Sequence, residues 1–183
     1  WECGANLVTG DTKVLERGAL DGLAINTAGI GIAETVVRDS GLLPGDLIIV
    51  NGTLGDHGLA IMAERSGLSF GEQIRSDVAP LWGLVSRAMA AGTIHAMKDP
   101  TRGGFASAIN EMARKSRISI RIDEEAVPIR KSVRSASMML GIDPLQVANE
   151  GKVVMGVPEE EADGILQALR SHHYGQAAAS IGR

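Results

Sequence analysis

Four segments set ionisable or hydroxyl side chains beside glycine: Thr9-Gly-Asp-Thr-Lys13, Asn51-Gly-Thr-Leu-Gly-Asp-His-Gly58, Lys98-Asp-Pro-Thr-Arg-Gly-Gly104 and Ala148-Asn-Glu-Gly-Lys152. Glycine lets backbone approach a ligand closely, and a helix start offers unpaired N–H groups to an anion. An aspartate beside such a start suits Mg²⁺, which prefers oxygen ligands and substrate phosphates. The chemistry suggested is handling of a phosphorylated ligand. None of the four is a P-loop or a dinucleotide-binding glycine fingerprint. Plainer readings stand beside each. Gly10-Asp11 is an ordinary turn pair, Thr101 could only cap a helix, and Asn149-Glu-Gly151 could be a loop with an exposed carboxylate.

The elements that must carry these segments follow from periodicity and turn chemistry. Residues 7–16 and 20–28 read as two strands joined by a turn at 17–19. Gly41-Leu-Leu-Pro-Gly-Asp46 is a turn cluster, and a domain boundary is placed at 43/44. Beyond it, strands at 47–50, 93–97, 118–122, 152–157 and 177–181 interleave with helices. The helices are expected near 57–66, capped by Asp56, 78–91, capped by Asp77, and at 102–115, 130–140 and 159–171. Each chemical segment then falls at a strand end or a strand-to-helix junction. Interleaving of this kind predicts a sheet covered by helices, an α/β or α+β sandwich.

Composition narrows the function classes. The chain has 183 residues, 18 basic and 22 acidic, and a net charge of −4. No basic tract exceeds two residues, which speaks against phosphate-backbone binding and hence nucleic acid. Five aromatic residues make base-stacking platforms equally improbable. Glycine accounts for 23 residues, nearly twice the usual share of roughly 7%. A single cysteine, Cys3, excludes an internal disulfide and suits a reducing compartment; with no apolar run of membrane-spanning length, a cytoplasmic protein is expected. Cys3 reads as a small apolar residue. His57 could be only a solvated residue at a helix start, His95 is structural, and the adjacent His172 and His173 lack metal-ligand spacing. The seven methionines are core filler. The chain opens at Trp1 rather than Met, which reads as a fragment.

Taken in this order, Val8-Thr-Gly-Asp-Thr-Lys-Val14, Asn51–Gly58, Asp99-Pro-Thr-Arg-Gly-Gly104 and Ala148–Lys152 closely resemble the HypE family of hydrogenase maturation proteins, the carbamoyl dehydratases. That family belongs to the aminoimidazole ribonucleotide synthetase-like superfamily. The resemblance covers about residues 4–183. It implies that 1–43 is the later part of an N-terminal, ATP-binding, dimer-forming domain and 44–183 a C-terminal α/β domain. It also implies the reaction: a carbamoyl group, placed on a C-terminal cysteine by the carbamoyltransferase HypF, is dehydrated with ATP to a thiocyanate. The cyanide passes to iron on the HypC–HypD scaffold and becomes a ligand of a [NiFe]-hydrogenase centre. On this resemblance Asp11 is the Mg²⁺ ligand and, with Thr12, contacts phosphate. Lys13 and Glu150 are assigned to the reacting end, as a source of positive charge and a proton acceptor. Asp99, Thr101, Arg102, Gly103 and Gly104 face the phosphates, and Asp56 and His57 line the same cleft.

Two family features are missing. The tail ending Pro-Arg-Ile-Cys is absent, Cys3 is misplaced to substitute for it, and the early glycine-rich acidic part of the ATP domain is absent too. The expectation is a homodimer-forming scaffold that does not turn over alone. Competing readings are another ATP-dependent superfamily member, such as a selenophosphate synthetase or small-molecule kinase, and a non-catalytic docking fragment.

Overall fold

The computed structural model describes residues 4–67 and 74–183; Trp1, Cys3 and Phe70 lie outside them. The chain divides into two units, Trp1–Val36 and Val37–Arg183.

In the first unit, residues 4–36 form no helix or strand and are exposed throughout. The two strands expected at 7–16 and 20–28 are therefore absent. Their turn forms, with the Ala19 N–H donating to Glu16 O at 3.1 Å, but no ladder extends from it. The physical reason is that a lone hairpin is marginal in water. Leu7, Val8, Leu23 and Ile30 have no apolar face to pack on and remain in solvent.

The second unit is built on a four-stranded antiparallel sheet of β1 (Leu47–Val50), β2 (Ala96–Lys98), β3 (Val154–Val157) and β4 (Ala179–Gly182), in the order β2-β3-β1-β4. β1 and β3 are central, with Val50 opposite Val154 and Leu47 opposite Val157. Both strands are continuous apolar runs because helices cover both faces. On one face Ile49, Met155 and Val157 pack against α2 (Trp82–Ala91) and α5 (Ala162–Arg170). On the other, Ile48, Val50 and Val154 meet α3 (Gly104–Ser116). α3 buries Phe105, Ala108, Ile109 and Met112, and α5 buries Ala162, Ile165, Leu166 and Leu169. Each set follows the i, i+3, i+4, i+7 spacing of a core-facing stripe. A third cluster of Leu59, Val133, Ala136 and Val147 joins α1 (Asp56–Ser66) to α4 (Lys131–Leu140). The expected helix-covered sandwich is what forms.

Several local expectations are corrected. α2 begins at Trp82, beyond Pro80, and Asp77 does not cap it; its carboxylate is engaged elsewhere. α1 starts at Gly55, which takes the N-cap position with Asp56 already inside the helix. Residues 118–122 make no strand. Ile122 forms one bridge to Gly182, flanked by the Arg121–Arg183 backbone pair, while Ile118, Ile120 and Ile122 all pack on the α3 side. The period-two pattern reported the sidedness of this segment and not its pairing. Residues 159–161 form a 3-10 turn after Pro158, so α5 starts three residues late. Segment 37–46 packs with the second unit: Leu42 is buried, and the Asp46 carboxylate accepts the Leu43 N–H at 2.8 Å and meets His95 Nδ1 at 2.9 Å. His95 is structural, as expected.

The layered core sets a contrast between methionines. Met155 is fully buried at the sheet centre, whereas Met139 is 78% exposed on α4. Met155→Ala should lose about 2–5 kcal/mol in urea denaturation, and Met139→Ala should stay within about 0.5 kcal/mol of the parent. Equal losses would contradict this assignment of the core.

Candidate functional site

Because β1 and β3 are antiparallel neighbours, the chain leaving β1 at Asn51 and the chain entering β3 at 149–153 lie side by side. Two buried asparagines join them. Asn51, 1% exposed, donates from Nδ2 to Gly151 O (3.2 Å) and Tyr174 O (3.1 Å) and accepts the Val153 N–H at 2.8 Å. Asn149, fully buried, donates to Pro100 O (3.2 Å) and Val147 O (3.0 Å) and accepts the Gly55 N–H at 2.8 Å. Asn149 thus ties together the segments 51–58, 99–104 and 147–152. Three of the four glycine-bearing segments meet here.

Glycine is required at two of the contacts. Gly104 has φ 63°, and a Cβ there would lie 2.6 Å from Leu145 O and Val147 O. At Gly151 a Cβ would collide with the backbone carbonyl of Asp77. The second contact brings residues 76–79 onto the site. The Asp77 carboxylate accepts from Lys152 Nζ at 2.7 Å and from the Glu150 N–H at 3.1 Å. This pair is withdrawn from water, with side chains 10% and 6% exposed.

A cleft of about 300 Å³ opens beside it. Thr53, Ser76, Asp77, Arg130, Lys152 and Tyr174 contribute to its walls. At its margin Asp56, 1% exposed, accepts the Thr53 hydroxyl at 2.6 Å on Oδ2. Its Oδ1 has no hydrogen-bond partner and lies 3.4 Å from Arg130 Nε. Burial raises the Asp56 carboxyl above the usual carboxylate range, opposed by the Thr53 hydrogen bond and the Arg130 charge. His57 Nδ1 meets Ser76 Oγ at 2.8 Å.

The residues singled out from sequence are distributed as follows. Gly103 and Gly104 open α3, Thr101 donates to the Asp99 carboxylate at 3.0 Å, and Arg102 is exposed. Glu150 carries an exposed side chain on a backbone held by Asp77. Asp11, Thr12 and Lys13 belong to the first unit and are exposed, with the Thr12 N–H donating to Asp11 Oδ1 at 2.8 Å. The second unit therefore brings together Asp56, His57, Asp99, Thr101, the Gly103–Gly104 start and Glu150 around the Asn149 node. Sequence reasoning missed Asp77 and Arg130 as site residues, and quoted Asn51 and Lys152 only as the ends of their segments without giving either a role. Asp77 looked like a helix cap. The signal available was the Lys that follows Glu150-Gly151 inside a quoted segment, a cation that needed a partner once buried. Among the described residues, no three His, Cys, Asp or Glu side chains gather as a metal-ion site, and no helix is long and apolar enough to cross a membrane.

Residues 44–183 match the family model for the AIR synthase related protein, C-terminal domain. The carbamoyl dehydratase HypE of Rhizobium leguminosarum bv. viciae is 50% identical over 185 residues, covering 99% of this chain and 53% of that protein. The chain spans about half the length of the curated relatives it matches. A crystal structure of HypE in complex with ATP superposes with a TM-score of 0.78 at 44% identity, over 80% of this chain and 44% of that one. HypE in a HypE–HypF complex gives 0.77 at 45% identity, over 80% and 48%.

The buried Asp56 has a pH signature. Its native carboxyl holds a proton to higher pH than the unfolded chain does. Stability from this group is present below the unfolded carboxylate range and is lost as pH rises through the raised native value. Asp56→Asn removes that dependence. Relative to the parent, the variant should gain stability as pH rises from 4 to 7 in paired denaturation series. Parallel pH profiles would contradict the assigned burial.

Proposed function

The chain belongs to the AIR synthase related proteins, whose C-terminal domain it carries over residues 44–183, and on that premise we propose that it is part of a HypE-type carbamoyl dehydratase serving [NiFe]-hydrogenase maturation. The observation that carries this reading is identity of 41–50% to named HypE proteins along nearly the whole chain, with the three family-type segments of the second unit converging on one node. In this reading residues 1–43 are the later part of an ATP-binding, dimer-forming domain and 44–183 the C-terminal domain. ATP is the co-substrate, as the ATP complex of a HypE relative supports. HypF is the partner that delivers the carbamoyl group, supported by the HypE–HypF complex of another. The HypC–HypD scaffold receives the cyanide, and the protein works as a homodimer in the cytoplasm.

The residues present fit these groups. Mg²⁺ needs one or two carboxylates when substrate phosphates complete its shell, and Asp11 is an exposed carboxylate with only one oxygen engaged by Thr12. Lys152 and Arg130 offer positive charge in the cleft. Bound ATP supplies the phosphoryl group that makes the carbamoyl oxygen a leaving group. Lys13 stabilises negative charge on that oxygen or on phosphate. Both N–H protons of the carbamoyl group must leave. One passes to solvent as the oxygen is phosphorylated, and Glu150 takes the other as the carbon–oxygen bond breaks. Phosphate departs with the oxygen, and thiocyanate remains on the cysteine sulfur. The Glu150 backbone is fixed by Asp77 while its carboxylate stays free to reach a ligand.

The test uses a full-length form that carries the early ATP-domain segment and a C-terminal cysteine. Glu150→Gln keeps the side chain's shape and removes the proton acceptor. The variant should still bind ATP and accept the carbamoyl group, with dehydration slowed by roughly 10²–10⁴. Mass spectrometry should find the thiocarbamate persisting, one water heavier than the thiocyanate. Conversion at the parent rate would remove Glu150 from the chemistry.

A further inference from the structure

Glu150 has an exposed side chain, so whatever fixes its carboxylate must act through the backbone. On one side stands the fully buried Asn149, whose side-chain amide is completely matched. On the other stands Gly151, the residue type with the greatest backbone freedom. Asn51 holds the Gly151 carbonyl at 3.2 Å. Neither asparagine orients the N–H of Glu150 itself. Asp77 does so from 73 residues away: its Oδ1 accepts that N–H at 3.1 Å. Its backbone carbonyl also fills the space that a Gly151 Cβ would need.

Asp77 is in turn held from two directions. Its side chain is 6% exposed, and Oδ2 takes the Lys152 ammonium at 2.7 Å, which balances a carboxylate otherwise buried alone. The preceding Ser76 hydroxyl meets His57 Nδ1 at 2.8 Å and accepts the Val78 N–H at 3.3 Å. These bonds tie the segment to the first turn of α1. Residues 76–80 form no helix or strand, so such side-chain contacts set where the Asp77 carboxylate lies. At this depth water is a poor substitute for the acceptor that the Glu150 N–H would lose.

We propose that Asp77 is a positioning residue for the dehydration, holding the Glu150 backbone so that the Glu150 carboxylate meets the carbamoyl nitrogen. The inference rests on the dehydratase reading, with Glu150 as proton acceptor. Asp77 acts through Glu150 and not on the substrate. A catalytic group displaced by about 1 Å can lose roughly a hundredfold in rate, so one backbone hydrogen bond at this position is enough to govern the step.

Two double variants isolate that bond. Asp77→Asn/Lys152→Met keeps an acceptor oxygen for the Glu150 N–H, and Asp77→Leu/Lys152→Met removes it. Both exchange the buried ion pair for neutral groups, a change that folded proteins often tolerate, and both lack Lys152 equally. Asp77→Ala/Lys152→Met makes the same comparison with a smaller side chain, and circular dichroism checks the fold of each. In the 183-residue chain, the Glu150 amide should exchange with solvent about tenfold faster in the leucine variant than in the asparagine variant. In the full-length form with its C-terminal cysteine, KM for ATP and carbamoyl transfer should match between the two. Dehydration should be about tenfold or more slower with leucine. Placed in Glu150→Gln, the same pair should differ by less than about twofold, because the group being positioned is gone. Equal Glu150 exchange or equal dehydration in the two double variants would overturn the inference, as would a leucine effect that keeps its full size in Glu150→Gln. Failure of the reading itself looks different: the full-length parent would form no thiocyanate, or Glu150→Gln would convert at the parent rate, and either result removes the inference with it.

Discussion

The site depends on one side-chain amide. Asn149 has two N–H donors and a carbonyl acceptor, and each is matched to a backbone group from a different part of the chain. At full burial no water can serve in place of these partners, and each unmatched group would carry its whole desolvation cost. The positions of the Gly55, Pro100 and Val147 backbones are therefore set by one another through that amide. Asn51 repeats the device one strand away, joining the exit of β1 to the entry of β3 and to Tyr174. Short, fully satisfied polar side chains of this kind fix loops more firmly than apolar contacts, which tolerate sliding.

The charges hang from that frame. A buried ion pair is a weak source of net stability, because desolvation consumes most of the attraction. The Asp77–Lys152 pair is better understood by what it positions. Asp77 holds an ammonium with one oxygen and the Glu150 backbone with the other, while its own carbonyl presses on Gly151. Asp56 shows the opposite balance: burial outweighs its partners, and its carboxyl shifts toward the neutral form. One carboxylate organises the cleft as an anion and the other recedes from it.

Much of this could be read from residue order. The helix stripes of α3 and α5, the left-handed Gly141 that ends α4 and the apolar runs of β1 and β3 are local patterns, and local patterns survive folding. The glycine-bearing segments of the second unit were legible as loops because Gly104 and Gly151 have no alternative where backbones touch. The failures share a cause. The strands at 7–16 and 20–28 had strand-like composition, but a strand needs a neighbour, and no periodicity records whether one is present. Residues 118–122 alternate correctly yet pair at a single point. Asp77 has the look of an N-cap, and only the arrival of Lys152 from 75 residues away gives its carboxylate another use. The roles of Arg130 and Asn51 were hidden for the same reason: they come from long-range partners, not from neighbours in sequence.

The central claim is that Asn149 holds three loops in place independently of the sheet beneath them. Amide hydrogen exchange resolved by residue in Asn149→Ala tests it. The account predicts that the Gly55 amide, which loses its acceptor, exchanges at least about tenfold faster than in the parent, as expected for loss of a buried hydrogen bond. Amides of β1 and β3 should keep their protection relative to one another. An unchanged Gly55 amide, or loop and strand amides accelerating by one common factor, would contradict it.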